Sequence, residues 1–128
     1  MSSPEVVHRS RDQAAHAAAV KVDTKDIVKF LSENLGPSLT SLIAGVETRT
    51  VNRWASNEGG SPRPESERKL RAAFQVFQLV QTVEAAPTVR AWFMGMNPQL
   101  DDISPAEAIA EDRVRDTMAA ARAFIAGG

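Results

Sequence analysis

Between Glu65 and Glu84 apolar side chains recur at helical spacing on two faces at once. Leu70, Ala73, Phe74, Phe77 and Val80 form one stripe, and Ala72, Val76, Leu79 and Val83 form another. A helix that is apolar on two sides must be covered on two sides. One stripe can close the helices that precede it, and the other can meet the C-terminal third or a second copy of the chain. No period-two alternation survives anywhere, so the expected fold is all-α: a helix-turn-helix bundle followed by a small C-terminal helical unit.

The rest of the chain divides around that helix. Residues 1–22 hold Ser, His, Arg and an Ala-rich patch with few large side chains, and read as an N-terminal arm. From Asp23, Ile27, Val28, Leu31 and Leu35 share a helical face, with Asp23 or Thr24 as the cap and Gly36-Pro37 as the stop. A second short helix carries Leu39, Leu42 and Ile43 and ends at Gly45. A third runs from Glu47 or Thr48 to Ser56, and residues 57–64 read as a loop. After Ala86-Pro87 a short helix reaches Met94. Ser104-Pro105-Ala106-Glu107 is a capping box with Pro in the first helical position, and the final helix aligns Val114, Met118, Ala121 and Ile125. The expected organisation is an arm over 1–22, a helix-turn-helix domain over 23–84 and a C-terminal interaction unit over 85–128.

Composition removes several function classes. With no Cys among 128 residues, disulfide scaffolds, CxxC zinc sites and cysteine nucleophiles are excluded. His8 and His16 lack a third ligand, Gly59-Gly60 lacks the Lys-Ser/Thr of a phosphate loop, and Asp101-Asp102 lies in a connection where carboxylates cap or solvate. No enzyme, metal or cofactor is expected. No signal peptide or membrane span is expected either, so the chain reads as cytoplasmic. The net charge of -1 favours no partner, but its distribution is uneven. Residues 45–71 carry six basic and four acidic side chains, whereas 84–116 carry three basic and seven acidic. A mildly basic middle and an acidic C-terminal third imply two tasks on one small body.

The segment Leu39 to Trp54 has helix-turn-helix spacing. Gly45 gives the turn its backbone freedom and Val46 plugs the angle between the helices. Val51, Trp54 and Ala55 turn inward, which leaves Arg49, Asn52, Arg53 and Ser56 on the opposite face. Arg can be bidentate to guanine, Asn to adenine, and hydroxyls can bind phosphate. Thr48, Arg49, Asn52, Arg53 and Ser56 are therefore the expected contacts to double-stranded DNA, with Arg63, Arg68 and Lys69 as backbone anchors. One copy reads few base pairs, so specificity implies a homodimer with half-sites about 34 Å apart.

The region from Asp23 to Trp54 resembles an Xre-type helix-turn-helix. Val89-Arg-Ala-Trp92-Phe93-Met-Gly-Met-Asn97-Pro98-Gln-Leu100, followed by Ser104-Pro105-Ala106-Glu107-Ala108-Ile109, resembles the toxin-binding domain of the Xre/MbcA/ParS antitoxins. The resemblance covers about 100 residues in the family's order. It implies an antitoxin that neutralises a RES-domain toxin acting on NAD and binds its own promoter. The toxin contacts it implies fall in the C-terminal part, on Trp92, Asn97, Asp101, Asp102, Glu107, Arg115, Arg122 and Ile125. Read without the family, Trp92, Phe93 and Leu100 are local core and the acidic residues a solvated face. Two other readings stay open at this point: a stand-alone repressor whose C-terminal unit serves dimerisation, and an adaptor whose helix-turn-helix does not bind DNA.

Overall fold

The computed structural model describes residues 22–127, which form seven α-helices and one short 3-10 turn. No strand occurs among them. The helices are α1 (Thr24–Asn34), α2 (Pro37–Ala44), α3 (Thr48–Ala55), α4 (Pro64–Val80), α5 (Ala86–Met94), α6 (Pro105–Ala110) and α7 (Val114–Ile125), with the 3-10 turn Pro98–Leu100 after α5. The arm expected over 1–22, with His8 and His16, lies outside the described residues except for Val22.

Both stripes of α4 are buried within one chain. α1 and α2 pack against α4 from the N-terminal side, and α7 and α6 from the C-terminal side. One apolar core therefore contains Ile27, Leu31, Ile43 and Val51 together with Phe93, Ala106, Ile109 and Met118. Phe77 joins the halves: the Phe30 ring meets it edge-on at 5.0 Å, and the Phe93 ring stacks on it at 6.1 Å. The expected boundary at residue 84 falls in the connection from α4 to α5, but the units on either side share this core.

Three expectations need correction. The helix predicted to reach Glu84 ends at Val80, where the Thr82 hydroxyl and amide both donate to the Leu79 carbonyl and divert the chain. Val83 consequently leaves the second stripe and is 43% exposed. In α2, Thr40 and Ser41 are buried beside Ile43 while Leu42 is 45% exposed, because the hydroxyls satisfy themselves on the carbonyls of Gly36 and Ser38. Neither Asp23 nor Thr24 caps α1 with its side chain. The Thr24 hydroxyl instead donates to Glu67 Oε1 at 2.6 Å, and Arg71 donates to Glu67, to Thr24 and to the Val22 carbonyl. This cluster fastens the start of α1 to α4.

Two turns share one hydrogen-bond pattern. At the end of α2 the Val46 amide donates to the Ser41 carbonyl and the Gly45 amide to the Leu42 carbonyl, with Gly45 at φ 74°. At the end of α6 the Arg113 and Asp112 amides donate to the carbonyls of Ala108 and Ile109, with Asp112 at φ 66°. The predicted capping box forms at α6, where Ser104 Oγ accepts from the Glu107 amide and donates to its carboxylate.

A Cβ on Gly45 would meet nothing within 4 Å, so only the left-handed backbone opposes a side chain there. Gly45→Ala is expected to cost about 1 kcal/mol in urea unfolding, and Gly45→Asn less. Glu67 is held below the ordinary carboxylate range, first by the Thr24 hydroxyl and then by Arg71. Its contribution to stability is full above the unfolded-state pKa, about 4.3, and is lost as pH falls through the lower folded-state value. Urea midpoints measured from pH 7 to pH 3 should fall on the acid side, and Glu67→Gln should flatten that part of the slope.

Candidate nucleic-acid interface

The candidate interface is built on α3, which is held by its two inward residues. Val51 is fully buried and Trp54 is 6% exposed, and α3 packs on α1 and α2. The Gly45 turn sets its entry angle, and Ser41 and Thr48 share a hydroxyl hydrogen bond of 3.2 Å across that turn. Ser66 at the start of α4 donates to the Ala44 carbonyl at 2.7 Å, closing the exposed end of α2. The opposite face of α3 carries Thr48, Arg49, Asn52 and Arg53, all exposed. These side chains project outward from a short rod whose other side is sealed.

The remaining members of the expected DNA set are placed differently. Ser56 is half-buried; its hydroxyl donates to the Arg53 carbonyl and accepts from the Glu58 amide, so it shapes the exit from α3. Arg63 is exposed at the start of α4. Arg68 pairs with Asp112 at 3.0 Å, with both side chains about half exposed. Lys69 is corrected from backbone anchor to interior tie: it is 8% exposed and donates to the Ala110 carbonyl at 2.9 Å, joining α4 to the end of α6. Its four-carbon stem lies along the core while the ammonium satisfies a helix terminus.

Glu47 stands beside this face, and its carboxylate meets Arg49 Nε at 3.3 Å. The two side chains are 89% and 77% exposed for Arg49 and Glu47 respectively. An exposed pair of this kind is worth about 0.2–1 kcal/mol, less than the ~1–3 kcal/mol of discrimination from a bidentate contact to a base. The carboxylate thus leaves Arg49 available to a stronger acceptor. Two further contributors were not legible in the sequence. Lys25 on α1 donates to Asn57 at 2.9 Å and ties down the loop after α3. Gly60, at φ 85°, lies so close that a Cβ would stand 3.3 Å from Arg53 Nε and 3.6 Å from Trp54 Cδ1. Its only sequence signal is a glycine pair in a loop.

A second surface lies at the other end. Trp92 is half-buried, edge-on to Phe93 at 5.3 Å and tilted against Phe124 at 6.1 Å. With Asn97, Pro98, Gln99, Ala120 and Phe124 it lines one groove, while Ile125 lines another with Val83, Glu84, Phe124 and Gly127. Asn97 Oδ1 caps the 3-10 turn by accepting from the Gln99 amide. Asp101 and Asp102 both adopt left-handed backbone, at φ 56° and 67°. Asp101 pairs with Arg113 at 3.1 Å, and Arg113 also meets Asp116 at 3.1 Å. The hydrogen bond that Arg113 Nε donates to the Asp116 carboxylate, more than the charge of Asp101, holds the Arg113 pKa above the ordinary arginine value. The Glu107 carboxylate is engaged by Ser104 in the cap of α6, whereas Arg115 and Arg122 are exposed two turns apart on α7. Trp92, Asn97 and the Asp pair thus cluster, Ile125 adjoins them across Phe124, and Glu107 belongs to a cap.

Among the described residues no group of three His, Asp or Glu side chains could hold a metal ion. No described helix is long and apolar enough to cross a membrane. Neither a family model, a curated protein nor a solved structure matches the chain.

Proposed function

We propose that the protein is a DNA-binding antitoxin: a homodimeric repressor that uses α3 to hold its own operator and its C-terminal surface to neutralise a RES-domain, NAD-consuming toxin in the cytoplasm. The observation that carries the DNA-binding part is α3 itself. Its apolar side is sealed by Val51 and Trp54, and Thr48, Arg49, Asn52 and Arg53 stand exposed on the other. Donor-rich side chains on one face of an exposed helix fit the depth of a major groove. Support for the toxin-binding part comes from the resemblance of residues 89–109 to the antitoxin domain, and from grooves that leave Trp92, Phe124 and Ile125 partly open beside acidic Asp101, Asp102 and Glu84. Partly open aromatics rimmed by charge are the composition of interface centres.

The DNA part is tested by mobility shift on the chain's own upstream sequence against a scrambled duplex. Asn52→Ala should lose discrimination between the two by about 1–3 kcal/mol, five- to 150-fold. Equal affinity of the unaltered protein for both duplexes would reject the reading. The toxin part is tested by co-expression with the toxin. Truncation before Ser104 is uninformative, because it removes Ala106, Ile109, Met118 and Ala121 from the shared core. Exposed positions serve better: Asp102→Asn, which keeps a side chain suited to the left-handed backbone there, and Arg115→Glu should each weaken rescue of toxin-arrested cells while leaving thermal unfolding within about 0.5 kcal/mol of the parent. Undiminished rescue by both variants would remove the toxin contacts from this face.

A further inference from the structure

A cleft of about 470 Å³ opens between the second half of α3, the loop after it and the first turns of α4. Thr50, Arg53, Ser61, Arg63, Glu65 and Lys69 supply its polar wall. The cations of this region differ in what already holds them. Arg49 is paired with Glu47, Arg68 with Asp112, and Lys69 with the Ala110 carbonyl and, at 3.4 Å, the Glu65 carboxylate. Arg53 and Arg63 make no ion pair with any other described residue, and both line this cleft. A Cβ on Gly60 would stand 3.3 Å from Arg53 Nε, tighter than ordinary contact, and 3.6 Å from Trp54 Cδ1, an ordinary contact, so the Gly60 backbone lies beside the guanidinium at the opening. Two unpaired guanidinium forks and the hydroxyls of Thr50 and Ser61 converge on one space, with Glu65 drawn toward Lys69.

We infer that this cleft is a subsite for a phosphoryl group, held by Arg53 and Arg63, and that its physiological occupant is a backbone phosphodiester of the duplex. Guanidinium forks match tetrahedral oxyanions through paired N–H donors. Arg53 thereby becomes a clamp on the backbone, and reading of bases falls to Thr48, Arg49 and Asn52. As a duplex contact the inference rests on the DNA-binding reading, whereas as an anion site it does not.

The test is a pair of titrations of the full-length protein followed by amide and guanidinium NMR. Inorganic phosphate should shift Arg53 Nε–H and the amides of Gly60, Ser61 and Ser66 together and saturably. The Arg53→Gln/Arg63→Gln double variant should weaken that binding at least tenfold, and Arg90→Gln, an exposed cation on α5, should leave it unchanged. With operator and scrambled duplexes, Arg53→Gln and Arg63→Gln should each weaken both sequences alike and lower the slope of log affinity against log salt by about 1. Saturable phosphate shifts at the cleft without duplex binding would support the anion site, overturn its assignment to DNA and reject the DNA-binding reading. Duplex binding whose affinity and salt slope ignore both substitutions would overturn the cleft and leave that reading intact. Phosphate shifts that persist in the double variant, or that scatter over the surface, would overturn the anion site. A double variant whose amide spectrum outside the cleft matches the parent excludes misfolding as the cause.

Discussion

Everything in this structure depends on the burial of α4 from both sides, and Phe77 is where the two coverings meet. Phe30 from α1 and Phe93 from α5 contact its ring from different elements. The series continues from Phe30 to Phe74, and from Phe93 through Trp92 to Phe124. All five phenylalanines of the chain therefore lie in one connected set that runs from the helix-turn-helix side to the last helix. Full burial of a phenylalanine side chain stabilises a fold by about 1.5–3 kcal/mol. Elements as far apart in sequence as those of Phe30 and Phe124 are thus joined, and beside this shared core the C-terminal half keeps only a small cluster of its own, Leu100, Ala108 and Ala120. The two surfaces discussed above are carried on one body.

Much of that body was legible because it rests on local rules. Gly45 in left-handed backbone, the Ser104 capping box and the inward Val51 and Trp54 each follow from a few adjacent residues. What the sequence concealed depends on partners far along the chain. Lys69 looks like a surface cation until α6 supplies the Ala110 carbonyl from 41 residues away. Thr24 looks like a cap until Glu67, 43 residues on, takes its hydroxyl. Leu42 and Thr40 exchange inside for outside because a hydroxyl that satisfies itself on the preceding turn can be buried at little cost. For the candidate interface, residue types on α3 were readable, but the division of cations into engaged and unengaged was not, since it is made by Glu47, Asp112 and Ala110.

That division also answers the objection that a chain of net charge -1 has little business with a polyanion. Whole-chain charge governs long-range steering, which salt screens beyond about 8 Å at physiological ionic strength. Contact affinity is decided by which cations reach a phosphate and what they must release to do so. Arg53 and Arg63 release no described carboxylate, and Arg49 releases only an exposed one. Nearby carboxylates are already engaged, Glu65 by Lys69 and Glu67 by Arg71, and of the C-terminal acids Asp101 and Asp116 are held by Arg113. The basic and acidic regions of the sequence meet after folding where Arg68 pairs with Asp112 and Lys69 reaches the Ala110 carbonyl, which leaves Arg53 and Arg63 outside that contact.

The complete cover of α4 bears on assembly as well. Had its second stripe stayed open, a second copy would have been needed to bury Val76 and Leu79, and folding would have been inseparable from protomer concentration. Instead α7 and α6 lie on the C-terminal side of α4 within the same chain, and Val76 and Leu79 are fully buried there. Any dimer that sets two α3 helices one turn of the duplex apart must then form by association of finished surfaces. Its strength is free to be tuned without loss of the fold. A regulator that must release DNA or a partner benefits from that separation, because the linkage can be broken at an interface while the core stays closed.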